Sequence, residues 1–122
     1  MNKNQLRNKY RNLRSELSLE EIDSRSLDIA NSLLSLPVWD AEFYHLFLSI
    51  TEQKEVNTDF ILHILQGKDK HIVVSKTNIE NHQLRHFLLT DNTAIKKNKW
   101  NIPEPTGGIE IPEEKLDVVF IP

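Results

Sequence analysis

No cysteine occurs in this chain, so disulfides, thiol nucleophiles and thiolate metal sites are excluded together. Such a composition suits a reducing compartment, and the chain is expected in the cytoplasm. Glycine is almost as scarce, with 3 in 122 residues, and none builds a glycine-rich phosphate loop. No run approaches the ~20 apolar residues that span a bilayer, and the N-terminus lacks the apolar centre of a secretory signal, so no membrane partner is expected. Histidine pairs at metal-ligand spacing and a serine nucleophile elbow are missing too, and no metal site is read from the motifs. The last absence is local. Residues 1–14 carry Lys3, Arg7, Lys9, Arg11 and Arg14 with no acid among them. A start of this kind serves as an anion-binding arm, a transit peptide or a solvated helix face.

What is present is ordinary globular composition, 39% hydrophobic and 27% charged, enough for one domain with a core. Leu6, Tyr10, Leu13 and Leu17 recur at helical spacing. At about 100° per residue they share an arc of about 60°, which predicts a core-facing stripe. Lys3, Arg7, Arg11 and Arg14 fall in an adjacent arc of about 80°, so four cations line one edge of the same helix. Ser18-Leu19-Glu20-Glu21 has the form of a capping box and starts a second helix, which Pro37 ends.

Phe43 to Ile50 reads as a short strand covered on both faces, interrupted by His45. His45 is expected as a hydrogen-bonded core residue, and His63, His71, His82 and His86 as surface. A helix follows from about Thr58, capped by Asn57 or Thr58 and stopped by Gly67. Ile72-Val73-Val74 is the next strand, so the unit is βαβ and the strands are parallel. Leu84 to Thr90 and Val118 to Ile121 are further strands. Lys96 to Lys99 and the Pro103, Pro105, Gly107, Gly108 and Pro112 cluster read as loop. The fold class is α/β. In open sheets of this class ligands bind beyond the carboxyl ends of the strands, which directs attention to the segment after Ile50, where Glu55 is placed to face a ligand.

The ordered set Lys3-Asn4-Gln5-Leu6-Arg7, Phe47-Leu48-Ser49, Glu55-Val56-Asn57-Thr58, Trp100-Asn101-Ile102-Pro103-Glu104-Pro105 and Leu116 to Pro122 resembles the 5-formyltetrahydrofolate cyclo-ligases. The resemblance implies a three-layer, mostly parallel α/β fold like that of the sugar-isomerase and coenzyme-A-transferase group. It implies ATP-dependent conversion of 5-formyltetrahydrofolate to 5,10-methenyltetrahydrofolate, with ATP and Mg2+ as cofactors. ATP would phosphorylate the formyl oxygen, and N10 would then attack the activated carbon as phosphate leaves. Lys3 and Arg7 match the family's phosphate contacts. Leu48 or Ile50, together with Glu55, matches the folate-contacting stretch, and Trp100 a residue that covers the folate ring.

The stretch from Ser49 to Glu55 is longer than the family pattern, which leaves Leu48 and Ile50 as alternatives. Similar proteins continue into a segment of the form R-x-G-x-G-x-G-Y-Y-D that cradles phosphates. Residues 1–122 are therefore expected to form one α/β domain without the C-terminal part of the family fold, with catalytic residues unknown. The partner expected is the small-molecule folate, with no nucleic acid and a monomeric chain. The competing reading is a non-catalytic module whose basic first helix binds RNA or another polyanion.

Overall fold

The computed structural model describes residues 1–78 and 80–122. Asn2 opens the first helix, α1 (Lys3–Ser15). Its side chain accepts from the Gln5 N–H at 2.8 Å, and the Gln5 side chain accepts from the Asn2 N–H at 2.9 Å. The capping box at Ser18 forms as expected: the Glu21 N–H donates to Ser18 Oγ at 3.1 Å and starts α2 (Leu19–Leu33). Trp39 closes the far end, its indole N–H donating to the Leu33 carbonyl at 3.0 Å.

The α1 stripe is not core. Leu6, Tyr10 and Leu13 are 42%, 57% and 48% exposed. Helical spacing aligns side chains but does not provide a layer to cover them, so the expected core-facing stripe lies on the surface of this chain. The helix packs instead against a 3-10 turn at Thr51–Gln53.

Strands β1 (Phe43–His45), β2 (His71–Thr77), β3 (Leu84–Leu88) and β6 (Val118–Val119) form a sheet in the order β3-β2-β1-β6. β1 runs parallel to both β2 and β6, with Tyr44 opposite Ile72 and Val118, whereas β2 and β3 are antiparallel. The α/β class and the mostly parallel sheet are as expected. Between β1 and β2 lies α3 (Asp59–Gly67). Asn57 supplies its cap, accepting from the Asp59 N–H at 3.0 Å, while the Thr58 side chain makes no cap bond. Its stop differs from expectation: Asp69, not Gly67, takes the left-handed turn at φ 55°, a conformation that Asp tolerates through its short polar side chain.

Because side chains alternate across a strand, Tyr44, Ile72 and Val118 share one face. There they meet Ala30 of α2 and Ile61 and Leu65 of α3 in the main core. Tyr44 has no exposed surface, and its hydroxyl donates to the Val38 carbonyl at 2.6 Å. Burial raises its pKa. Tyr44→Phe keeps the ring but strips that carbonyl of its donor, and is expected to cost about 1 kcal/mol. A lowered urea midpoint with unchanged slope is the signature; an unchanged midpoint would mean that water replaces the hydroxyl.

The opposite face carries a polar chain. Ser75 Oγ lies 2.6 Å from His45 Nε2 and 2.6 Å from His86 Nδ1, joining β1, β2 and β3. His45 is the hydrogen-bonded residue expected of it. His86 is not the surface residue expected: it is 7% exposed, because residues 109–111 return beside β3, the Ile111 N–H donating to the His86 carbonyl at 2.8 Å. Burial, and then the neighbouring His86, lower the His45 pKa. A base with a depressed folded pKa contributes stability that is complete above about pH 6.5 and is lost as pH falls through the folded value. His45→Gln is expected to flatten the loss of thermal stability between pH 7.5 and 5.5. Equal slopes for the variant and the parent would remove His45 from that dependence.

The segment expected as loop after β3 is in fact a hairpin. β4 (Ile95–Lys97) and β5 (Pro103–Pro105) pair antiparallel, with Lys96 opposite Glu104. β5 packs on β2, and the Thr77 N–H at the carboxyl end of β2 donates to Glu104 at 3.4 Å.

Candidate functional site

A braid of short polar side chains shapes the segment that leaves β1. Ser49 Oγ donates to the Val56 carbonyl and accepts from the Thr58 N–H, while Thr58 Oγ1 donates to the Phe47 carbonyl at 2.9 Å. The buried Ser26 of α2 accepts from the Asn57 N–H at 2.8 Å, and Asn57 Nδ2 donates to Asp23 at 3.1 Å. The segment is thereby fastened along α2, and Glu55 is held at its centre. One Glu55 oxygen, Oε1, accepts from the Ile50 N–H at 2.7 Å. Oε2 makes no hydrogen bond among the described residues.

A hollow of about 270 Å³ lies here, just beyond the carboxyl end of β1. Leu48, Ser49, Thr51 and Glu55 form one wall, Leu19, Ile22 and Asp23 of α2 a second, and Ile95 and Pro103 of the hairpin a third. Of the residues singled out from the sequence, Leu48 and Glu55 therefore meet in one place. Ile50 does not line it; its backbone N–H instead holds the Glu55 carboxylate. Trp100 does not line the hollow; it stands 48% exposed at the hairpin turn, with Lys99 Nζ 5.1 Å from its ring centre.

The cations form a separate group. Arg7, Arg11 and Arg14 line a second hollow, of about 330 Å³, beside Leu6 and Tyr10 on α1. Lys3 is exposed one turn before Arg7. Arg14 Nε is buried without a hydrogen-bond partner among the described residues. The sequence marked Arg14 only as one of four cations; its partial burial is a feature that periodicity does not disclose.

Among the described residues, no group of three or more His, Asp or Glu side chains is placed to hold a metal ion. No described helix is long and apolar enough to cross a membrane.

Fold and hollow together define an α/β protein with a hollow at the carboxyl edge of parallel strands, the edge where ligands of open α/β sheets bind. The chain belongs to the 5-formyltetrahydrofolate cyclo-ligase family, whose model matches residues 1–122. It is 28% identical over 109 residues to a Schizosaccharomyces pombe protein named "Probable 5-formyltetrahydrofolate cyclo-ligase", a match covering 88% of this chain and 52% of that protein. The fold is similar to the NMR structure of Aquifex aeolicus 5,10-methenyltetrahydrofolate synthetase, with TM-score 0.77 and 24% identity, over 98% of this chain and 59% of that one. The chain thus spans about half the length of the yeast relative.

Proposed function

We propose that this chain supplies the folate-facing hollow and part of the triphosphate site of an ATP-dependent 5-formyltetrahydrofolate cyclo-ligase. The observation that carries the reading is the carboxylate of Glu55, anchored through Oε1 to the Ile50 N–H and lining the hollow with Leu48. A pterin ring presents an amino group and ring N–H donors, which an anchored carboxylate accepts in one orientation. Leu48 supplies the apolar contact, and Ile50 acts by holding Glu55. The hollow is smaller than the roughly 300–1,000 Å³ usual for a whole ligand, so it takes the ring end of the folate alone.

Lys3 and Arg7 are the phosphate contacts, and Arg11 and Arg14 continue the same basic edge along α1. In phosphoryl transfer these cations position the triphosphate and offset charge as it develops. The described residues do not form a carboxylate cage for Mg2+, so the ion is assigned to the substrate, MgATP. Trp100 joins the folate only if the hairpin that bears it moves toward the hollow. Turnover is assigned to a polypeptide of the relatives' length, acting as a soluble cytoplasmic monomer. The test is ATP-dependent formation of 5,10-methenyltetrahydrofolate by the complete protein, followed by absorbance. Absence of turnover with MgATP would sink the reading.

One observation favours the polyanion alternative: Tyr10 is 57% exposed among Arg7, Arg11 and Arg14, which gives a base a ring to stack on. Tight RNA binding that weakens steeply with salt, without competition from ATP, would select it.

A further inference from the structure

The stretch that is long for the family pattern, between Ser49 and Glu55, is pinned at three points. Glu55 closes it onto the Ile50 N–H. Lys54 Nζ donates to the Leu17 carbonyl, in the turn between α1 and α2. Glu52 Oε1 receives Lys97 Nζ of β4 at 2.9 Å, across 45 residues of sequence. Lys54 also takes a left-handed backbone, φ 55° and ψ 37°. A non-glycine residue persists in that region where its surroundings over-determine it. The two tethers join different walls of the folate-facing hollow: Thr51 belongs to the pinned loop, Leu19 follows the turn that Lys54 grips, and Ile95 shares β4 with Lys97.

We infer that the Glu52–Lys97 pair is a clasp that sets the width of the hollow by holding the β4–β5 hairpin against the loop bearing Glu55. Glu52 and Lys97 are positioning residues, acting on the ligand through the walls they join. The pair has a geometric reason to matter beyond its own strength. The hairpin carries Ile95 and Pro103 into the hollow and Trp100 at its tip, while β5 is the strand packed on β2. With the clasp open, β4 is held through its ladder to β5 and shifts about that anchored strand. That the hollow receives folate rests on the function proposed above; that the clasp fixes the hairpin does not.

The experiment compares the complete protein with Glu52→Gln, Lys97→Met and the exchanged pair Glu52→Lys with Lys97→Glu. Two readouts are taken: amide exchange of Asn98, Asn101 and Thr106, whose N–H groups bond within the hairpin region, and affinity for 5-formyltetrahydrofolate. Each single variant is expected to speed hairpin exchange and weaken folate binding about two- to fivefold, the range an exposed ion pair supports. Melting temperature and kcat stay at the parental values, and the exchanged pair restores both readouts. Unchanged hairpin exchange in both single variants overturns the clasp. So does faster exchange with parental folate affinity, because the walls would then be loosened without consequence. If neither parent nor variants bind folate while hairpin exchange still rises, the clasp stands and the folate reading falls.

Discussion

Arg7→Ala in the complete protein is expected to weaken MgATP about ten- to hundredfold, the cost of one charge-assisted phosphate contact at about 1.5–3 kcal/mol. Lys3→Ala is expected to do the same, and 5-formyltetrahydrofolate binding should change little in either. The two residues stand one turn apart on the acid-free N-terminal stretch of the chain, on a helix whose N-terminus is closed by a capping box. A fixed helix presents both charges in one direction, so each loses little freedom on meeting a phosphate. Lys9 provides the internal control, since it projects from a different arc and sits 5.7 Å from the Tyr10 ring centre. Lys9→Ala should leave ATP affinity near the parental value. Equal losses at Lys3, Arg7 and Lys9 would point to general charge attraction rather than a site, and no loss at Lys3 or Arg7 would remove both from it.

Glu55→Gln should raise the Michaelis constant for 5-formyltetrahydrofolate by about tenfold or more, with ATP unaffected. The substitution is chosen for what it preserves. A glutamine oxygen still accepts from the Ile50 N–H, so the loop keeps its closure. The second oxygen becomes an NH2 group, however, and a donor then faces the donors of the pterin. Loss of affinity with an intact loop therefore isolates the carboxylate. If calorimetry gives parental folate binding, the acceptor is another group, and Glu52 is the nearest acid in sequence.

Local signals carried a good part of this structure. Ser18 and Glu21 announce α2 because a capping box is a bargain struck within four residues. The βαβ unit was legible for a similar reason, since strand, helix and strand each bear their own period. Asn2 and Gln5 form the same box at α1, an equally local signal. The β4–β5 hairpin was hidden: Lys96, Lys97 and Asn98 show no apolar alternation, and Pro103 and Pro105 read as breakers. Proline is tolerated there because edge strands leave some N–H positions unused.

Distance in sequence set the other limit. Leu48 and Glu55 were found because both leave the same strand within a few residues, whereas Ile95 and Pro103 reach their hollow only through β5 packing on β2. Glu52 and Lys97 are unremarkable charges until the fold places them 2.9 Å apart. His86 is buried for a related reason, since residues 109–111 return beside β3 from beyond the hairpin. The exposed α1 stripe is the converse case, a correct pattern whose burial no pattern can specify.

The pairing of β1 with β6 also has a meaning in time. Asp117 Oδ2 accepts from the Phe43 N–H at 3.0 Å across 74 residues, and β6 then runs along β1. Chains are synthesised at about 5–20 residues per second, so a nascent β1 waits about 4–15 seconds for this neighbour. Throughout that interval its outer edge is unpaired, and Phe43 and Tyr44 are open to other chains. An inner strand of this sheet is therefore made early and completed late, and the interval before Asp117 emerges is when a ribosome-associated chaperone has most to protect.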